Sequence, residues 1–518
     1  MAIILKRIKE LLSPKKTKSE AKTRLTKDLK TNRAWLEEIF GQSSDVIIRE
    51  YGIGYQNRIK VMTIYIEGLV DTDLLVTTLL KPMTSFRRPW PTGQEAYQDL
   101  KGRYAMNNVT ETPYLEDFVA KIMVGHCGLL IDGVDRGCLG GVQKAEYRGI
   151  NEPDTEPNIR GPKEGFTEIL RINTSILRRR IRHPRLRIYQ RQLGRLSNTP
   201  IAIAYIDGLA QDEVLRELKQ RLDNIDIDAI HESGVIEELI EDEPFSPFPT
   251  ILRTERPDRV TGALLEGRVA ILTDGTPFAL ILPATFTMFI TTSEDYYERF
   301  IIAGALRLIR IAAFFISLLL PSLYVAIVTF HQEMLPTPLI LSIAAQREGV
   351  PFPAIVEALL MELTFEVLRE AGVRLPQIIG AAISIIGALV LGDAAIRAGL
   401  VSPAMVVVVA ATGVASFATP AFSLAIATRL LRFPMILLAA SLGLFGVVAG
   451  LFALLIHLTT LRSFGQPYLE PLAPIVMTDM KDTILRLPWW ALDTRPKLVG
   501  GQDPVRQGPD QKPTKPDD

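Results

Sequence analysis

Ile311-Ala312-Ala313-Phe314-Phe315-Ile316-Ser317-Leu318-Leu319-Leu320-Pro321-Ser322-Leu323-Tyr324-Val325-Ala326-Ile327-Val328-Thr329-Phe330 runs without a charge, between Arg307 and Arg310 on one side and His331 on the other. At about 1.5 Å rise per residue, roughly 20 residues cover a hydrocarbon core of about 30 Å. Three further stretches, 375–392, 398–428 and 433–461, are also free of charge. Neighbouring helices this apolar on every face would have nothing polar to show water, so a bundle in a bilayer is the stronger reading. Arg299, Arg307 and Arg310 before the first stretch and Arg462 after the last place both ends in the cytoplasm and imply an even number of crossings. Arg429 and Arg432 fall on the wrong side of a simple four-span arrangement, so the third stretch, interrupted by Pro420, reads as broken, re-entrant or paired with an extra span. Two shorter proline-bearing stretches, 276–293 and 334–346, suit the membrane interface.

The rest of the chain has a different solvent. Lysines and arginines balance acids at 58 each, so whole-chain charge does not select a polyanionic partner, yet no lysine occurs between Lys219 and Lys481. The N-terminus turns basic at once and has no apolar stretch of signal-peptide length, which keeps the front half cytoplasmic. Cys127 and Cys138 read as buried thiols, with no ligand set nearby to complete a metal site.

That front half carries a duplication. The segments 60–69 and 200–209 share a Tyr-Ile-acid-Gly-Leu core, at Tyr65 to Leu69 and Tyr205 to Leu209. Leu130-Ile131-Asp132-Gly133 recurs as Leu272-Thr273-Asp274-Gly275 at nearly the same offset. Each copy reads as an apolar strand, an acid-Gly turn and a helical stretch. The expected fold is an α/β N-terminal half made of two related subdomains, followed by an α-helical transmembrane domain. Its expected parts are a basic extension (1–40), subdomain 1 (41–145), a linker with an arginine-rich helix (146–195), subdomain 2 (196–295), the membrane domain (296–465) and a cytoplasmic, largely disordered tail (466–518). Composition argues for disorder most strongly beyond Val499.

Several constellations carry possible chemistry. Residues 171–195 hold nine arginines and no acid, among them Arg178, Arg179, Arg180 and Arg182. A basic surface for lipid or nucleic acid is one reading. An inter-subdomain helix answered by acids such as Glu237, Glu238, Glu241, Asp242 and Glu243 is the stronger one, because Tyr189 is the sole aromatic in the run. No phosphate loop and no His-Glu-x-x-His occurs, and the five histidines are scattered, so nothing supports an enzyme or a cofactor. The Asp-Gly pairs read as tight turns.

The segment 353–370 reads as a helix with Glu357, Glu362, Glu366 and Glu370 among apolar residues. The last three share a face and Glu357 points elsewhere. Acids at membrane depth face protein or water, which makes Glu357, Glu362 and Glu366 candidates for a cation path, with Val390 as a fourth. A surface-lying amphipathic helix with solvated acids explains the pattern equally well. Gly380, Ser384, Ala388 and Gly392 form a small-residue stripe suited to close helix packing or subunit assembly, and Gly446 and Gly450 repeat the idea. Ordinary intrachain packing accounts for each at least as well.

Longer strings carry a resemblance: Arg160-Gly161-Pro162-Lys163-Glu164-Gly165-Phe166-Thr167-Glu168, Glu255-Arg256-Pro257-Asp258-Arg259-Val260, Asp295-Tyr296-Tyr297-Glu298-Arg299-Phe300, Leu320-Pro321-Ser322-Leu323-Tyr324-Val325 and Gln346-Arg347-Glu348-Gly349-Val350-Pro351-Phe352-Pro353. Over roughly residues 40–475 the chain resembles the A subunits of the spore germinant receptors, the GerA family. The resemblance implies a multi-pass subunit of the bacterial spore's inner membrane. It further implies work beside a permease-like B subunit and a lipoprotein C subunit, in an oligomeric, nutrient-gated cation channel, with a pentamer as the expected assembly. A secondary transporter with a cytoplasmic regulatory half is the rival, although no inverted repeat is visible in the membrane part. A membrane-tethered nucleic-acid binder using the arginine run is a third reading.

Overall fold

The computed structural model describes residues 22–85, 90–103, 107–143, 152–153, 155–374, 392–501 and 503–513. Two compact units result. One comprises residues up to 241 with 253–283 and 495–506, and the other 242–252, 284–494 and the residues from 507 on.

In the first unit, α1 (Leu29–Phe40) precedes β1 (Val46–Ile53), β2 (Ile59–Ile66), β3 (Asn107–Thr112), α2 (Leu115–Ile122), β4 (His126–Ile131) and β5 (Gly137–Gly141). A second series follows: α3 (Leu170–Arg180), β6 (Leu186–Leu193), β7 (Thr199–Ile206), α4 (Asp212–Asp223), α5 (Ser233–Ile240), β8 (Leu252–Thr254), α6 (Pro257–Leu265), β9 (Val269–Thr273) and β10 (Ala279–Leu282). The two five-stranded sheets have the same order, β1-β2-β4-β5-β3 and β6-β7-β9-β10-β8. Side chains alternate along β2: Met62, Ile64 and Ile66 join Leu36, Phe40 and Phe118 of α1 and α2, while Val61 faces Tyr97 and Leu100 on the other side. A strand covered on both faces has to be apolar at almost every position, as β2 and β7 are.

The likeness of the two sheets extends to side-chain bonds. Asn32 accepts from the Thr26 amide (2.9 Å) and donates to the Thr26 carbonyl (2.7 Å). Asn173 does the same with Thr167 at 2.8 and 2.6 Å. Asp132 accepts from the Leu29 amide at the start of α1 (3.4 Å), and Asp274 from the Leu170 amide at the start of α3 (2.9 Å). The Asp-Gly turns therefore cap helices, satisfying N–H groups that have no intrahelical partner. Gly133 and Gly275 supply the positive φ those turns need, 86° and 88°.

Three expected boundaries move. Residues 29–40 are not an extension: Leu29, Leu36, Ile39 and Phe40 bury one face of α1 in the core of the first sheet. The arginine run is not one helix, because after α3 it becomes β6, the first strand of the second sheet, with Leu186 and Ile188 buried. Described residues of the expected tail are packed, with Tyr468, Arg486 and Val499 buried and Gly501 donating to the Leu209 carbonyl at 2.8 Å. Its prolines and glycines make turns that pack on neighbouring structure, which composition alone reads as disorder. The stretch 276–293 holds β10 and the short helix Phe286–Ile290. Both cysteines are buried, unbonded thiols, and burial pushes their protonation constants up, that of Cys138 to about 12.

The second unit is helical: α7 (Phe300–Phe330), α8 (Thr337–Arg347), α9 (Ala354–Arg374), α10 (Pro403–Phe417) and α11 (Phe422–Thr460). Among the described residues, α7 and α11 are long and apolar enough to cross a membrane. Of the four uncharged stretches, the first is the later part of α7. The second lies outside the described residues except for Gly392. The third breaks between α10 and α11 at Thr419-Pro420, where Pro420 ends the helical run. Gly443, at φ 62° and ψ −142°, divides α11 into arms 422–442 and 444–460. The arms double back on each other. A Cβ on Gly450 would lie 2.6 Å from the Met435 sulfur, whereas those residues would be about 22 Å apart in a straight helix.

Replacing Asn173 with alanine removes the partner of the half-buried Thr167 carbonyl and amide and is expected to destabilise the first unit by about 1 kcal/mol, read from urea unfolding of the full-length chain in detergent. A pH effect follows from Glu237 on α5, whose carboxyl is pushed by burial from the ordinary 4.5 up to about 7, against the pull of Arg253. A carboxyl with a raised folded-state constant is stabilising below its unfolded value and loses that contribution as pH rises through the folded one. Unfolding midpoints are therefore expected to fall between about pH 4.5 and 7, and Glu237→Gln is expected to flatten that decline.

Candidate functional site in the helical unit

The acids of α9 mark the place where its helices are tied together. Glu357 is buried and accepts from the Ser402 amide (2.9 Å) and hydroxyl (2.8 Å) at the start of α10, and from Arg347 Nε at the end of α8 (3.2 Å). One carboxylate thus caps α10 and fixes the α8 terminus, as an acceptor at a helix N-terminus should.

One turn further, Glu362 is fully buried and pairs with Arg432 of α11, which is also buried. Arg432 Nε donates to the Ser317 carbonyl of α7 at 2.8 Å. Proline at 321 has no N–H to donate to that carbonyl four residues back, so the acceptor is free for the guanidinium. Glu366 accepts from Arg429 Nη1 at 2.9 Å and lies 3.9 Å from Arg369. Arg369 in turn donates to the Ser416 hydroxyl (3.0 Å) and sits over the Phe417 ring at 4.5 Å. Glu370 turns outward to Arg374.

The three acids predicted to share a face therefore have different roles. Glu362 and Glu366 face protein and are each answered by arginine, so in this state their charge is not offered to a passing cation. The reading of α9 as a surface helix with solvated acids does not hold for Glu357 and Glu362, which are buried on a face that packs against α7, α10 and α11, while Leu360, Leu363 and Val367 are exposed. Arg369, Arg429 and Arg432 complete the site. Sequence reasoning treated the last two only as misplaced topology signals, although a lone arginine in an apolar run opposite a lone glutamate is itself the signature of a buried pair.

Val390, Gly380, Ser384 and Ala388 lie outside the described residues. Gly392 begins the short helix Gly392–Arg397, where a Cβ would meet Val406 at an ordinary 3.7 Å. Gly446 and Gly450 let the two arms of α11 approach, since a Cβ on Gly446 would lie 2.1 Å from the Leu438 carbonyl, and their place is within the chain.

The arginine run likewise finds other partners than expected. Arg178 is no surface residue: it is buried, with Nε 2.6 Å from Asp45 and Nη2 2.7 Å from the Ser43 hydroxyl, and joins the two sheets. Arg179 and Arg180 both reach Glu164, and Arg182 donates to the Arg179 carbonyl at 3.2 Å. Asp207, Asp223 and Asp226 answer Arg187, Arg191 and Arg195 in place of the predicted acids 237–243. No group of three or more potential metal ligands occurs among the described residues.

Comparison with known proteins gives this architecture a context. The chain is 49% identical to spore germination protein KA of Bacillus subtilis over 489 residues, which is 94% of this chain and 90% of that protein. It is 40% identical to spore germination protein B1 of the same organism, across 93% of this chain and 99% of that one. Among solved structures it is similar to the N-terminal domain of the A subunit of the Bacillus megaterium spore germinant receptor GerK3, at 35% identity and a TM-score of 0.40, covering 52% of this chain and 99% of that one. Residues 34–498 match the profile described as Bacillus/Clostridium GerA spore germination protein, and the chain belongs to that family.

Proposed function

We propose that this chain is the A subunit of a spore germinant receptor, relaying nutrient sensing by partner subunits to cation release through an oligomeric channel in the spore's inner membrane. In this reading the permease-like B subunit and the lipoprotein C subunit are its partners, a homo-oligomer such as a pentamer forms the conduit, and both termini are cytoplasmic. The two sheets with matching order and matching capping bonds act as duplicated subdomains that support assembly. No enzymatic step is required, and the family is not one of known enzymes.

One observation carries the proposal: Glu362 and Glu366 are held in apolar surroundings by arginines of another helix, with one oxygen of each carboxylate left without a hydrogen bond. Buried ion pairs stabilise little in net terms, but separating the partners is costly, about 3–5 kcal/mol when one is removed. Such a pair is suited to a latch with two arrangements. In the resting arrangement Arg432 holds α7, α9 and α11 together, and release frees the carboxylates to face cations. Cations entering a low-dielectric path need that compensation.

The test needs variants that keep charge balance, because Glu362→Gln alone leaves Arg432 buried without a counter-charge. The double change Glu362→Gln with Arg432→Gln, and separately Glu366→Gln with Arg429→Gln, should remain in the membrane fraction. Nutrient-triggered cation release from spores carrying them is expected to change by roughly five- to 150-fold, the range of ordinary coupling free energies. Unchanged release from well-expressed variants removes these acids from the ion path. The break at Thr419-Pro420 between α10 and α11 also suits a secondary transporter with discontinuous helices. Nutrient uptake by the purified chain alone in proteoliposomes would favour that reading, and its absence favours the receptor subunit.

A further inference from the structure

Between residues 472 and 490 the chain has its polarity reversed. Asp482, Thr483 and Arg486 turn inward, onto the first turns of α7. Arg307, fully buried there, donates to the Asp482 carbonyl (2.7 Å) and carboxylate (3.0 Å) and to the Thr483 carbonyl (3.2 Å), and pairs with Asp295 at 3.2 Å. Tyr296 donates to the other Asp482 oxygen at 2.7 Å. Arg486, 3% exposed, donates to the Glu298 carbonyl (3.0 Å) and lies 5.6 Å from the Tyr296 ring and 5.3 Å from the Trp489 ring. The charges of Asp482 and Arg486 are thus spent inside, Asp479 and Lys481 are half-buried, and the large apolar side chains point out. Ile475 is 72% exposed, Met477 78%, Trp489 50% and Trp490 42%, with Ile484 and Leu487 also exposed.

A surface built for water has the opposite arrangement, and contiguous exposed apolar patches of this kind mark interaction sites. We propose that residues 472–490 form an interfacial lipid-contact surface, seated at the headgroup and acyl boundary of the bilayer that α7 crosses. The inference rests on the membrane reading of α7 and assigns to lipid a segment that composition places in the cytoplasm. Three observations select lipid as the occupant. Leu485 of the patch lies against Gly304 of α7, a helix whose first turns also expose the apolar Ile301 and Ile309. Two adjacent tryptophans have the amphipathic character of side chains that collect at membrane interfaces: Trp489 donates its indole N–H to the Tyr296 carbonyl at 3.2 Å, and Lys512 lies 5.4 Å from the Trp490 ring. Lys481, the one lysine of the segment, is paired with Asp493 at 2.7 Å, so what the segment offers a bilayer is insertion of apolar groups more than attraction to anionic headgroups. Neutral phosphatidylcholine should therefore suffice.

Trp489 and Trp490 report on this directly, since the chain has only four tryptophans and Trp35→Phe with Trp90→Phe isolates the pair. The full-length chain in phosphatidylcholine proteoliposomes is exposed to lipid brominated near the carbonyl end of the acyl chain, lipid brominated near the methyl end, and aqueous iodide. The expected result is at least about twofold stronger quenching by the shallow bromine than by the deep one, with little effect of iodide. Met477→Cys carrying a nitroxide is an independent probe, the two native thiols being buried. Its collisions with oxygen should exceed those with a water-soluble nickel chelate. Quenching by iodide alone, or by neither reagent because another protein chain covers the patch, overturns the proposal. Carbonate extraction of the same vesicles separates the two levels of failure: a chain kept in the pellet with iodide-quenched tryptophans loses only the tail assignment, whereas a chain released to the supernatant loses the membrane reading as well.

Discussion

Arg432 connects three helices through one guanidinium, with the Ser317 carbonyl of α7 on Nε and the Glu362 carboxylate of α9 on Nη1. That arrangement imposes a narrow geometry. Apolar contacts between helices such as Leu318, Met435 and Val447 are non-directional and tolerate sliding by a fraction of a turn. A charge pair without water tolerates very little, because any separation leaves both partners uncompensated. The carbonyl that completes the site exists because a proline four residues later has no N–H to occupy it. A residue that weakens α7 as a helix is thereby what permits its attachment to α11.

Buried arginine recurs as the joining element elsewhere in the chain. Arg178 links the two sheets of the first unit through Asp45 and Ser43, and Arg307 links the start of α7 to the segment around Asp482. Arginine suits this role because its planar fork keeps its charge when buried and can bond to several acceptors held at fixed angles.

The matching strings Tyr65 to Leu69 and Tyr205 to Leu209 were legible because strands covered on both faces must be apolar throughout and must end in turns that require glycine. The capping role of Asp132 and Asp274 was half legible. Turn chemistry identified the residue type, but the helix each one caps starts about a hundred residues earlier. What was hidden shares one cause. In β6 the buried Leu186, Ile188 and Leu193 are interspersed with arginine, tyrosine and glutamine, so a charge count sees a basic run where a strand lies. In α1 the buried Leu29, Leu36, Ile39 and Phe40 sit in a segment whose overall composition is polar. At the site, the acids of α9 were visible and their partners were not, because Arg429 and Arg432 were weighed as topology signals and not as counter-charges some 60 to 70 residues distant.

Composition therefore describes this chain poorly wherever polarity and position are decoupled. A count of charges over 472–490 reads as ordinary water-soluble sequence, since aspartate, lysine and arginine are all present. Placement reverses that meaning, because Asp482 and Arg486 satisfy Arg307, Tyr296 and the Glu298 carbonyl and leave isoleucine, leucine and tryptophan to meet the solvent. In α9 the reversal runs the other way: apolar residues surround acids whose charge is already matched from across the bundle. The quantity that decides the environment of such a segment is the charge left over after its neighbours have answered it, and that remainder is set by tertiary contacts that no local window contains.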